Sequence, residues 1–333
     1  MIEKENKIEM LAIGDIVIDS FIKLKQADIS GAPDTPSYKI CLPYGEKVPY
    51  EEVYTIPAVG NAANASVSVS RLGLISAIVS NLGDDVNGKD CLRVLEAEGV
   101  RTGLIKINPG IKTNYHFVLW YPPERTILIK HEKYNYSLPD FGEPGWIYFS
   151  SVSENAFPFH DVVAEYLNAR PNIKLAFQPG KNEIKLGKEK LAKLYQRAEI
   201  FFCNVEEAKK ILGQEDAPVS ELLKKMRELG PKKVVITDGP KGSYSYDGNE
   251  SLFMPPYPDP KPPFERTGAG DAFSSTVVAA LISGETLARA LAWGGINAMS
   301  VVQEVGAQKG LLSREKLEEY LRKAPAEYKA KRI

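Results

Sequence analysis

The chain has 333 residues, 42 Lys and Arg against 43 Asp and Glu, 44% hydrophobic and 26% charged, which excludes a disordered, collagenous or coiled-coil protein. A net charge of −1 supplies no field for gripping a phosphate backbone or an anionic bilayer, so neither nucleic acid nor membrane is expected as a partner. Three scattered cysteines without a CxxC pair indicate neither a disulfide framework nor a cysteine zinc site, and a charged start with no apolar run of ~18 residues points to the cytoplasm.

The run Ile8-Glu-Met-Leu-Ala-Ile-Gly14-Asp15 reads as a buried strand delivering polar residues at its C-terminal tip. Residues 22–56 lack a helical period and contain Pro33, Pro36, Pro43 and Pro49, the mark of short strands and loops outside the core. From Asn61 small side chains dominate up to Gly73, predicting a helix that packs close to a sheet. A strand over 76–82, a loop 83–88 and a helix 90–98 complete a βα repeat.

Runs of β-branched and aromatic residues over 113–121 and 125–131, joined by Pro122-Pro123-Glu124, read as a hairpin. Strands at 146–150, 174–177, 200–203 and 233–237 then alternate with amphipathic segments such as 219–229, which argues a doubly wound parallel sheet. Helices at 277–282 and 288–302 are alanine-rich, and the tail from 327 to 333 is expected to fray.

The strongest chemical signal is Arg266-Thr-Gly-Ala-Gly-Asp-Ala-Phe273, followed by an apolar helix over 274–282. Glycines before a helix let the backbone approach a ligand, and the unpaired N–H groups with the helix dipole favour an anion there. Asp271 in that turn suits a base for an incoming hydroxyl, and it equally suits an N-cap, so local physics leaves both open. Three histidines at non-helical spacings, without HExxH, shift the expected chemistry to carboxylates and backbone. The stretch Gly83-Asp-Asp-Val-Asn-Gly88-Lys89 mimics a P-loop, but Asp90 stands where a Ser or Thr is needed and Asp84 and Asp85 repel phosphate.

Thr-Gly-Ala-Gly-Asp-Ala-Phe resembles the C-terminal signature of the pfkB-type, or ribokinase-like, carbohydrate kinases. Gly60-Asn-Ala-Ala-Asn64 with Arg71-Leu-Gly73, Asn81-Leu-Gly-Asp-Asp-Val-Asn-Gly88, Asn204-Val-Glu-Glu207, Thr237-Asp-Gly-Pro-Lys-Gly242, and Asn297 with Gly306-Ala307 follow in the family's order over residues 8–310. The resemblance implies an α/β, ribokinase-like fold: a doubly wound, mostly parallel sheet flanked by helices, with a small β-sheet lid. Residues 8–16, 57–110 and 137–326 are then the core, and 17–56 and 111–136 the lid.

The activity implied is transfer of the γ-phosphoryl group of Mg-ATP to a sugar hydroxyl. Asp271 matches the general base, and the amides of Gly268, Ala269 and Gly270 the anion hole. Asn204 and Glu207 match a pair that organises Mg²⁺ and its waters, although their spacing fits a capping box equally well. Thr237, Gly239, Gly242 and Asn297 match nucleotide positions, and Asp19 and Asn64 match sugar contacts, with Asp15, Gly60 and Asn61 nearby.

The chain departs from the family in three places. Gly60-Asn61 replaces two glycines, Glu265-Arg266 replaces Asp-Thr and puts a monovalent-cation site in question, and Phe177-Gln-Pro-Gly180 replaces an Asp-Pro-Asn run. A nucleoside kinase is the competing acceptor reading, with Tyr115, Phe117, Trp120 and Tyr121 as base cover. A phosphosugar acceptor, with Arg125 or Lys130 as its cation, and a catalytically silent sugar-binding regulator are further alternatives. Open edges of a lid sheet invite pairing into a homodimer.

Overall fold

A computed structural model describes residues 7–32, 37–122 and 124–333; the charged opening at 1–6, Pro33 and Pro36 of the 22–56 excursion, and Pro123 of the hairpin turn lie outside the described residues. Ten strands form one sheet, in the order Lys331–Arg332, Ser251–Met254, Ser243–Tyr246, Lys233–Thr237, Ala198–Asn204, Lys174–Phe177, Trp146–Phe149, Met10–Ile13, Ser76–Gly83 and Ile105–Asn108. The stretch from Lys233–Thr237 to Ile105–Asn108 is parallel throughout, and the three strands at the other edge are antiparallel.

The parallel strands read as unbroken apolar runs because both faces are covered. Met10 and Ala12 face one core with the helices Asn61–Arg71, Ala269–Ile282 and Leu287–Val301, while Leu11 and Ile13 face the other with Phe159–Asn168 and Val219–Glu228. Each large aliphatic side chain so buried contributes about 1.5–3 kcal/mol. Helix Asn61–Arg71 packs on helix Ala269–Ile282, with Asn61 and Asn64 meeting Asp271 and Ser68 Oγ lying 3.3 Å from Thr276 Oγ1.

A second sheet of four strands, in the order Tyr50–Val59, Val17–Leu24, Tyr115–Tyr121 and Glu124–Leu128, is built from the two excursions. Val17–Leu24 pairs parallel with Tyr115–Tyr121, and the other neighbours are antiparallel. Tyr50–Val59 crosses the expected boundary at 56 and runs directly into helix Asn61–Arg71, so lid and core share one stiff connection.

The tail departs from the expected fraying. Tyr328 is buried with its hydroxyl donating to Ala292 O at 2.6 Å, and Lys331–Arg332 adds an edge strand to Leu252 and Phe253, which carries the core past residue 326. Helix Val86–Ala97 starts four residues before the expected 90, because Asp85 caps it by accepting from Gly88 N at 2.9 Å. That same Asp85 occupies the centre of the P-loop mimic. Among the described residues no helix is long and apolar enough to cross a membrane.

Candidate active site

The apolar helix begins at Ala269 rather than 274, with Gly268 as its N-cap at φ 80°. Only a residue tolerant of that left-handed backbone fits, and a Cβ on Gly268 would lie 2.3 Å from the Ala307 methyl. Gly270 is the opposite case: a Cβ there would meet no protein atom within 4 Å, so the first turn opens onto free space. Asp271 therefore sits inside the first turn and makes no capping bond, and of the two local readings the N-cap is excluded.

The Asp271 carboxylate is buried and held by three side-chain amides. Asn61 Nδ2 and Gln178 Nε2 donate to Oδ1 at 2.8 and 3.0 Å, and Asn64 Nδ2 donates to Oδ2 at 2.8 Å. Burial pushes the carboxyl up from the ordinary carboxylate value; the three amides pull against it and the nearby Asp19 charge adds to it. The net direction is upward, which suits a group that must accept a proton in turnover.

Two cavities meet at this helix start, both at the C-terminal ends of the parallel strands. One, of about 720 Å³, is lined by Asp15, Asp19, Gly60, Asn61, Asn64 and Asp271, with His116, His131, Gln178 and Glu207. Asp15 is buried rather than on a surface loop, accepting from Tyr136 Oη at 2.8 Å and standing 3.0 Å from His131 Nδ1, while Asp19 stands 3.3 Å from His116 Nδ1. The other cavity, of about 500 Å³, is lined by Thr237, Gly239, Gly242, Asn204, Ala269 and Gly270.

Asn204 and Glu207 form a full capping box: Asn204 Oδ1 accepts from Glu207 N at 2.8 Å, and Glu207 Oε2 accepts from Asn204 N at 2.9 Å. Their places differ nonetheless, since Asn204 faces the smaller cavity and Glu207 the larger. Burial raises the Glu207 carboxyl above its usual value, opposed by the Asn204 amide and reinforced by the Asp271 charge.

Asn297 is not brought to either cavity. It is fully buried, donating to Thr276 Oγ1 at 2.7 Å and accepting from Leu312 N at 2.9 Å, while Gly295, Ala298 and Met299 of the same helix face the nucleotide-sized cavity. Arg125 and Lys130 stand outside the cavities, each close to a neighbouring carboxylate, Glu124 and Glu132. Lys133 and Lys181 line the larger cavity in their stead, and among the described residues neither has a carboxylate partner. Glu265 accepts from two main-chain donors, Thr267 N at 2.8 Å and Gly306 N at 3.0 Å, and Arg266 lines the smaller cavity.

Sequence reasoning missed Gln178, His116, His131 and Tyr136. For Gln178 a signal existed: it follows the strand Lys174–Phe177, and residues just past the C-terminal ends of parallel strands line the ligand crevice.

The sequence profile of the pfkB family carbohydrate kinases matches residues 31–314. The chain is similar to the ribokinase of Bacillus subtilis, 26% identical over 283 residues that cover 83% of this chain and 92% of that protein. It is similar to the ATP-dependent 6-phosphofructokinase of Thermoanaerobacterium thermosaccharolyticum, 25% identical over 274 residues that cover 74% and 80%. The structure of Arabidopsis thaliana ribokinase complexed with ribose and ATP superposes with a TM-score of 0.78 at 18% identity, covering 95% of this chain and 99% of that one.

Proposed function

Because the chain belongs to the pfkB family of carbohydrate kinases and is a sugar kinase phosphotransferase, we propose that it moves the γ-phosphoryl group of Mg-ATP onto a hydroxyl of a sugar seated between Asp15, Asp19, Asn61 and Asn64. The observation that carries this reading is the junction of the two cavities. Ala269 and Gly270 line the smaller one and Asp271, the next residue, lines the larger. A phosphoryl group crossing from one to the other passes the amides and the carboxylate of a single helix turn.

In this reading Thr237, Gly239 and Gly242 border the nucleotide, and the amides of Gly268, Ala269 and Gly270 hold charge on the migrating group. Asp271 takes the proton of the attacking hydroxyl at a carboxylate oxygen. Carboxylates and carboxamides suit vicinal hydroxyls because they accept and donate in fixed directions. The four-stranded lid closes over the sugar and keeps water from competing as acceptor.

Mg²⁺ fits the same junction. Among the described residues no three His, Cys, Asp or Glu cluster to hold a metal unaided, whereas the raised carboxyl of Glu207 is relieved by a cation carried on phosphates and waters. Glu207 and Asn204 would hold such an ion through its waters, and the chemistry it would supply there is positive charge against the phosphates of the nucleotide. The free thiols of Cys41, Cys91 and Cys203 suit a reducing compartment, and the cytoplasm is the one this reading assigns. A homodimer through the lid is supported by Val53, Phe117 and Leu128, exposed on the face of that sheet opposite Asp19 and His116.

A free or phosphorylated sugar is favoured over a nucleoside as acceptor. No Phe, Tyr or Trp ring lines the larger cavity among the described residues, and Trp120 is buried against Phe264 instead. The phosphorylated acceptor is a second reading, motivated by Lys133 and Lys181. The test is ADP release from Mg-ATP across pentoses, hexoses, their monophosphates and nucleosides. Acceptor-dependent release with a sugar or its phosphate is expected; release with nucleosides alone, or with no acceptor in the panel, overturns the assignment.

A further inference from the structure

Three carboxamides aim N–H groups at Asp271, and a carboxamide is nearly symmetric in shape, so each can turn its oxygen inward unless its far end is tied. A reversed amide sets oxygen against carboxylate. The far ends therefore decide what Asp271 experiences. For Gln178 the tie is local: its Oε1 accepts from the hydroxyls of Tyr148 and Ser274. For Asn64 it is remote, because Asn64 Oδ1 accepts from Gln308 Nε2 at 3.0 Å. Gln308 is fixed in turn by donating to the main-chain carbonyl of Ala58 at 2.7 Å, a group that can only accept.

We propose that Gln308, which touches neither cavity, is a positioning residue for the phosphoryl-transfer step: anchored on the Ala58 carbonyl, it compels Asn64 to present its amide nitrogen rather than its oxygen to Asp271. The logic runs one way only. Ala58 O demands the Gln308 N–H₂ group; that group leaves only the Asn64 oxygen as its acceptor; the Asn64 nitrogen then faces Oδ2 of Asp271 at 2.8 Å.

Two independent features support the relay. Ala58 is the one non-glycine with positive φ, 60°, among the described residues, and it is fully buried, so backbone strain is held at the carbonyl that starts the chain. The main chain at Gln308 is clamped as well: Arg71 Nη1 donates to Gln308 O at 2.8 Å and to Leu311 O at 2.9 Å, while Arg71 makes a two-point pair with Glu98. Gln308 is buried and lines neither cavity, so its link to Asn64 lies on the side of that residue away from the open cavity.

The inference rests on Asp271 as proton acceptor, and its test separates the two. Other charges facing Asp271 are Asp19 from the lid and Glu207 from helix Val205–Leu212, with the un-ionised Tyr148 hydroxyl close by; all are unchanged by substitution at 308. Gln308→Met keeps the volume and removes the donor. In a folded Q308M protein kcat is expected to fall about tenfold, with acceptor KM changed less than twofold and the acidic limb of the kcat pH profile moved to higher pH, since Asp271 loses a donor that favours its ionised form.

Wild-type kcat and an unmoved limb in folded Q308M overturn the relay while leaving Asp271 as base intact if Asp271→Asn is inactive; an active D271N overturns the base itself. Wild-type protein supplies a second readout: the side-chain amide protons of Asn64, followed by NMR, are expected to titrate with the acidic limb of kcat. Absence of that titration overturns the relay whether or not Q308M folds.

Discussion

Asn61 and Gln178 donate to the same oxygen, Oδ1 of Asp271, at 2.8 and 3.0 Å, although one opens the helix Asn61–Arg71 and the other follows the strand Lys174–Phe177. Asn64 holds the other oxygen. This convergence leaves Asp271 buried but ionisable, and replacing it by Asn is expected to cut acceptor-dependent ADP release by about 10²–10⁴-fold while nucleotide binding persists. A coupled ADP assay beside a nucleotide-binding titration checks it. Near-normal turnover would remove Asp271 from the proton-transfer role.

The same carboxyl couples stability to pH. Its folded value lies above the usual 3.8, so the folded state binds the proton more tightly than the unfolded chain does. The associated stabilisation is full below the unfolded value and disappears as pH rises through the folded value. The signed difference, Tm of wild type minus Tm of D271N, should therefore fall as pH climbs above about 4, whatever constant offset the amide introduces. A signed difference that rises with pH contradicts the upward direction. Thermal melts of both proteins in a buffer series read it.

What the sequence made legible follows from what is local. The parallel strands were visible as apolar runs because burial on both faces leaves a one-dimensional trace, and the glycine turn ahead of Asp271 was visible because Gly268 and Gly270 stand close together in the chain. The partners of Asp271 were not legible as partners. Asn61, Asn64, Gln178 and Gln308 meet it, or meet each other, across tens to hundreds of residues, and no spacing rule reports which amide end points where. The helix start was misplaced from Ala269 to 274 because Gly268, Ala269 and Gly270 read as loop, whereas only Gly268 is outside the helix. The tail was misread for the reverse reason: Lys331 and Arg332 carry no apolar signal, and their strand is held by main-chain bonds to an edge.

Gly268 and Gly270, two residues apart, should respond oppositely to alanine. At Gly268 the methyl meets Ala307 and the backbone is left-handed, so G268A is expected to lose at least about 1–2 kcal/mol of stability. At Gly270 the methyl enters open space within a helical turn, so G270A is expected to keep its fold or gain about 0.5–1 kcal/mol. Turnover should nonetheless collapse in G270A if the proposed function holds, because that reading puts the migrating group in this space against the main chain. Denaturant unfolding and steady-state kinetics on the pair separate the effects. A fully active G270A would place the phosphoryl path elsewhere.

Glu207→Gln distinguishes a cap from a metal-organising role. Gln at the third helical position still accepts from Asn204 N, so the capping box and the melting temperature should survive. Only the charge is lost. The Mg²⁺ concentration needed for half-maximal rate is expected to rise several-fold in E207Q, with little change in acceptor KM. An unchanged Mg²⁺ dependence would reduce Glu207 to its structural part.

Asn297 tests the opposite separation, since its motif position suggests the nucleotide and its geometry suggests the core. Both ends of its carboxamide are used inside the protein, one on Thr276 and one on the Leu312 amide that leads into helix Arg314–Arg322. Asn297→Ala leaves the buried Thr276 hydroxyl with Ser68 as its remaining side-chain partner and takes the acceptor from the partly buried Leu312 N–H, at a cost of about 1–3 kcal/mol in all. The KM for ATP should stay within about twofold of wild type, because Gly295, Ala298 and Met299 keep the cavity wall that Asn297 does not touch. Unfolding curves and ATP titrations of kinase rate decide between the two. A stable N297A with a tenfold weaker KM for ATP would put this residue back on the nucleotide and would require the helix Leu287–Val301 to turn when ATP binds.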